Sequence, residues 1–92
     1  MDKVIFRKFP DGDVIAIFPR IMGDSNPYRT CLCYQQIGQH GAITLDFARF
    51  TKPAQVNEYT DLYNELCRIG YELKVSKRYN HKSDLKARLL QA

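Results

Sequence analysis

The chain has 92 residues, 45% of them apolar and 26% charged, with a net charge of +4. That is one small globular domain, too short for a second core and with no apolar run long enough to cross a bilayer. Its three cysteines are odd in number and lack the spacing of a disulfide framework, so free thiols in a reducing cytoplasm are expected.

The charge is uneven. Residues 71–92 carry six Lys or Arg against two acids, while the rest of the chain is close to neutral. A local basic surface of this kind attracts polyanions more than the net charge suggests. The opening "MDKVIFRKFPDGD" has no uninterrupted apolar run, so a secretory signal is not expected.

In chain order, "KVIFRKF" is apolar and β-branched and reads as a strand. "PDG" follows, where Asp11 and Gly12 can supply the positive φ of a tight hairpin. "DVIAIFP" is the second strand, closed by Pro19. "RIMGDSNPY" is a loop of turn formers. "RTCLCYQQI" is a third strand, with Cys31, Cys33, Gln35 and Ile37 on one face and Leu32, Tyr34 and Gln36 on the other. "GQHG" is expected to turn the chain, and "AITLDFARF" to form a fourth strand.

"TKPAQVNEYTDLYNELCRIG" reads as a long helix capped by Thr51, with Pro53 in its first turn and Gly70 at its end. Its stripe is Val56, Tyr59, Leu62, Tyr63, Leu66 and Ile69. "YELKVSKRY" returns as a strand. Ser83 is placed to cap a final short helix with Leu85, Leu89 and Leu90 at helical spacing.

These elements give an α+β fold in the order β-β-β-(β)-α-β-α. A small, mostly antiparallel sheet of four to five strands is packed by one long helix. Residues 1–80 form the domain, and residues 81–92 a short basic C-terminal helix or tail. One helix covers one sheet face, yet "VIAIF" is apolar on both. The second face therefore calls for a homodimer partner or for the tail.

The stretch "CLCYQQIGQHG" holds most of the reactive side chains. In an extended strand, Cys31 and Cys33 lie about 6.8 Å apart, too far for two thiolates on one zinc without a bend. They read as small buried residues. A Cys33–His40 dyad lacks an oxyanion loop and a second acid or base. Gly38 and Gly41 bracket Gln39 and His40, which form a turn or a recognition tip. No catalytic residue, metal site or cofactor is assigned.

"FRKFPDGDVIAIFP", "YQQIGQHG" and "TKPAQVNEYTDLYNELCRIGYELKV" together resemble small uncharacterised proteins of bacteriophages and bacterial mobile elements, over roughly residues 5 to 76. The resemblance implies a bacterial accessory gene, a setting that suits binders of nucleic acid or of host proteins, and carries no activity onto particular positions.

Three functions follow, in order. The first is a small non-enzymatic protein-binding module, self-associating or engaging a host protein through an apolar sheet face. The second is a nucleic-acid-binding accessory protein that uses Lys74, Lys77, Arg78, Tyr79, His81, Lys82, Lys86 and Arg88, where cations alternate with rings. The third is a Cys/His enzyme built on Cys31 or Cys33 with His40.

Overall fold

A computed structural model describes residues 1–35 and 38–92; the expected strand positions Gln36 and Ile37 lie outside the described residues. Six strands and two helices follow in the order β1 Asp2–Lys8, β2 Val14–Phe18, β3 Thr30–Gln35, β4 Gln39–Thr44, β5 Lys52–Pro53, α1 Val56–Arg68, β6 Leu73–Val75 and α2 His81–Leu89. A 3-10 turn, Phe47–Arg49, lies between β4 and β5.

The expected α+β class holds, and the detail is corrected: among the described residues six strands replace four to five, and the long helix shortens to the 13 residues of α1, with the short C-terminal helix present as α2. The order becomes β-β-β-β-β-α-β-α.

β4, β3, β2 and β1 lie side by side, each antiparallel to the next. Two short strands then share the free edge of β1. β6 runs parallel to its first half, with Val4 opposite Val75. β5 runs antiparallel to its second half, with Arg7 opposite Pro53. Pro53 cannot donate, and a sheet edge is where a strand tolerates that.

The first hairpin forms as its residues dictate. Gly12 takes φ +98, and Phe9 N–H donates to Asp13 O at 2.8 Å. Asp11 turns the chain through its side chain, accepting from Asp13 N–H at 3.0 Å.

Strand alternation splits the apolar residues between two cores. Val4, Phe6, Ala16, Phe18 and Tyr34 face α1, meeting Leu62 and Leu66. Phe6 stacks on Tyr59 with ring centroids 4.2 Å apart. The stripe of α1 is shorter than its periodicity suggests, for Val56 and Ile69 at its ends are 66% and 52% exposed. The helix also starts later than expected. Gln55, not Thr51, is its N-cap, and the Glu58 side chain accepts from Gln55 N–H at 2.8 Å. Gly70 at φ +113 ends it, with Tyr71 N–H donating back to Leu66 O.

The opposite face carries Ile5, Ile15, Ile17, Cys31, Cys33 and Ile43. Phe47 of the 3-10 turn and Tyr79 close over part of it. α2 closes another part, and it does so with charged groups. Asp84 and Arg88 are both fully buried, while Leu89 and Leu90 are exposed. The leucine face expected to anchor this helix is therefore the wrong one. Its cap is Asn80 rather than Ser83: Ser83 N–H donates to Asn80 Oδ1 at 3.0 Å.

Asp84 collects Lys3 Nζ at 2.8 Å, Arg20 Nε at 2.9 Å and Asn80 N–H at 2.8 Å. Burial pushes its carboxyl up, but these three donors outweigh burial and hold it below its ordinary value. Arg88 donates to the carbonyls of Pro19 and Pro27 and to the Tyr79 hydroxyl. Gln91 adds a clamp on the loop after β2, donating to Arg20 O and accepting from Met22 N–H. The C-terminal segment thus covers part of the sheet's second face through a buried polar network, which needs every member satisfied to be tolerated.

Candidate interaction site at the open sheet edge

The residues singled out from the sequence fall into three places. Gln39 and His40 lie on β4. Lys74 lies on β6; Lys77, Arg78 and Tyr79 lie in the connection to α2; His81, Lys82, Lys86 and Arg88 lie on α2. Lys74, Lys77, Arg78, Lys82 and Lys86 are exposed. Arg88 is not, and its guanidinium is occupied by protein oxygens. Tyr79 is half-buried against Phe47 and Arg88. The basic segment therefore presents five cations, and its central ring and one arginine serve the fold.

The "GQHG" stretch is corrected as well. Of the two glycines, Gly38 takes the positive φ of a turn, +82, whereas Gly41 sits inside β4 opposite Cys33. Gln39 and His40 are strand residues on an edge. The His40 ring meets the edge of Tyr34 at 4.8 Å, and its Nε2 shares a hydrogen bond with the Tyr71 hydroxyl at 2.8 Å. Tyr34 in turn donates to Glu65 at 2.6 Å. His40 is thus held to the α1 side of the sheet.

That placement separates it from the thiols. Cys31 and Cys33 point to the other face, because His40 pairs with Tyr34 and not with Cys33. Burial pushes the Cys31 thiol up to about 12 and raises Cys33 too. Neither is a thiolate at neutral pH, so the Cys/His arrangement has no activated nucleophile. Among the described residues, no three of His, Cys, Asp and Glu gather closely enough to hold a metal ion.

β4 is the unguarded edge of the sheet. Leu45 N–H donates to Arg29 O, which fixes the ladder phase. In that phase Gln39, Gly41 and Ile43 bond inward to β3. His40, Ala42 and Thr44 then direct their N–H and C=O groups outward. All of β4 except Ile43 is exposed. "QHGAIT" has no Lys, Arg, Asp, Glu or Pro. The opposite side of the sheet ends instead in Lys52, Pro53 and Lys74. Charge and proline are the usual means by which an edge strand is kept from pairing with another chain.

A shallow depression of about 280 Å³ adjoins β4 on the thiol face, walled by Phe9, Ile15, Cys33, Gly41 and Phe50. Phe50 is 40% exposed and stacks on Phe9 at 6.2 Å. A Cβ at Gly41 would meet Cys33 Sγ at 3.6 Å, an ordinary contact on the floor of the recess. Main-chain donors and acceptors thus stand beside an apolar recess. That pairing suits strand addition, in which backbone bonds give affinity and pockets take alternate side chains.

Sequence reading singled out Gln39 and His40 of this site, but as a turn or tip and not as an edge strand, although the absence of Lys, Arg, Asp, Glu and Pro from "QHGAIT" was a usable signal. It also missed the Asp84 network, whose only local trace is the four-residue spacing of Asp84 and Arg88. No helix among the described residues is long and apolar enough to cross a membrane. Comparison with protein-family models, with curated proteins and with solved structures finds no match.

Proposed function

We propose that this chain is a small non-enzymatic binding module that acts through protein–protein association at the β4 edge. The observation that carries the reading is the contrast between the two sides of one sheet. Lysines and a proline guard one; the other offers outward main-chain groups from a strand without Lys, Arg, Asp, Glu or Pro, beside an apolar recess. The test is light scattering on size-fractionated, nuclease-treated protein at low and high salt. Association through an edge and an apolar recess keeps its mass as salt rises.

Five exposed cations, Lys74, Lys77, Arg78, Lys82 and Lys86, favour a second reading as a nucleic-acid binder. A monomer that holds nucleic acid at low salt and sheds it at high salt would put this reading first. Binding that survives high salt unchanged would remove it.

A further inference from the structure

We infer that the strand received by β4 is the β4 of a second copy of this chain, added antiparallel about a two-fold axis at Ala42. The inference rests on the protein-association reading and names its partner.

The outward-facing residues are His40, Ala42 and Thr44, so Ala42 stands at the middle of the free ladder. A two-fold axis there places Ala42 opposite the second copy's Ala42, and His40 opposite its Thr44. About six main-chain hydrogen bonds can then form between the copies. An isologous contact must be self-complementary, because every residue meets the same surface turned about the axis. β4 meets that condition. It has no Lys, Arg, Asp or Glu, so no such like charges oppose each other across the axis. Its centre is Gly41-Ala42, which lets the two backbones approach.

The same axis sets Gly41 opposite the second copy's Ile43, on the face that carries the recess. A missing side chain on one copy thus meets a branched one on the other, twice. Phe50, 40% exposed at the rim, lies beside this contact. The far edge of the sheet could not pair in this way. Pro53 has no N–H, and Lys52 and Lys74 would be brought close to cations of the other copy.

The experiment is sedimentation equilibrium over a wide concentration range on the full chain and two variants. Ala42→Pro removes an outward N–H without touching the bonds to β3. Ala42→Lys places two like charges on the axis and keeps every backbone donor, so one variant remains informative if the other fails to fold. Circular dichroism and a melting curve check the fold of each. Lys82→Ala, on the exposed side of α2, is the control.

The expected result is a wild-type dimer, an at least tenfold weaker dimer in both folded Ala42 variants, and no change in the control. A wild-type dimer that both folded variants retain overturns pairing at β4 and leaves protein association standing. A wild-type monomer throughout overturns the second copy as partner. If that monomer also holds nucleic acid at low salt only, the protein-association reading falls with it.

Discussion

Arg88→Ala should be among the most damaging single substitutions in this chain, although the residue lies in a segment that reads as a solvated basic tail. Arg88 is fully buried and donates to Pro27 O at 2.8 Å, to the Tyr79 hydroxyl at 3.0 Å and to Pro19 O. Truncation leaves the carbonyls of Pro19 and Pro27 without this donor and leaves a void where the guanidinium stood. Each orphaned group costs about 1–3 kcal/mol, and breaking a buried charged network costs about 3–5 kcal/mol in all. A domain of 92 residues is stable by roughly 5–14 kcal/mol, so about a fifth of the total or more is at stake. Lys86→Ala, two residues earlier and exposed, should stay within about 0.5 kcal/mol of wild type. Urea denaturation followed by circular dichroism measures both. An Arg88→Ala protein within about 1 kcal/mol of wild type at unchanged m-value would refute the buried-anchor reasoning.

The Asp84 carboxyl gives the fold an acid limit. Its folded-state value lies below its ordinary value of about 4, so the stability it adds is complete above that value and fades as pH falls through the depressed one. The wild-type urea midpoint should therefore drop steeply below about pH 4, and Asp84→Asn should flatten that part of the curve while lowering the midpoint at pH 7. The thiols should divide cleanly. Cys67 is exposed and should react with a thiol reagent at once, whereas buried Cys31 and Cys33 should react roughly a hundredfold more slowly or less. A fast-reacting Cys33 would reopen the Cys/His enzyme reading.

Much of the fold is legible in local pattern. The β1–β2 hairpin follows from two β-branched runs around Asp11 and Gly12, and α1 from a periodic stripe ended by Gly70. Failures occur where a local signal has two outcomes. Gly38 and Gly41 look alike in sequence, but one turns the chain and the other fills a ladder position against Cys33. Thr51 is a better capping residue than Gln55, yet the extended segment before α1 is drawn to the free edge of β1, where Ala54 N–H donates to Phe6 O at 3.1 Å. Thr51 is used elsewhere, its hydroxyl donating to Phe47 O. The α2 anchor was hidden for a different reason. Apolar periodicity favours Leu85, Leu89 and Leu90, but the loop after β2 offers carbonyls, and Lys3 and Arg20 offer cations. Those partners are 60 or more residues away in the chain, where no local pattern can register them.

The candidate site is legible only as a comparison. "QHGAIT" becomes meaningful once it is known to be an edge and once the other edge is seen to carry Lys52, Pro53 and Lys74. The exposed cations were visible from composition, but which of them the fold would consume was not. Arg88 is consumed; Lys74, Lys77, Arg78, Lys82 and Lys86 are left at the surface.

Hydrogen exchange resolved to single amides of β4, at high and low protein concentration, tests association at this edge most directly. The amides of Gly41 and Ile43 bond to β3 and should be protected at both concentrations. The amides of His40, Ala42 and Thr44 should be protected at high concentration and lose that protection on dilution. Fast exchange at those three amides at every concentration would contradict the account.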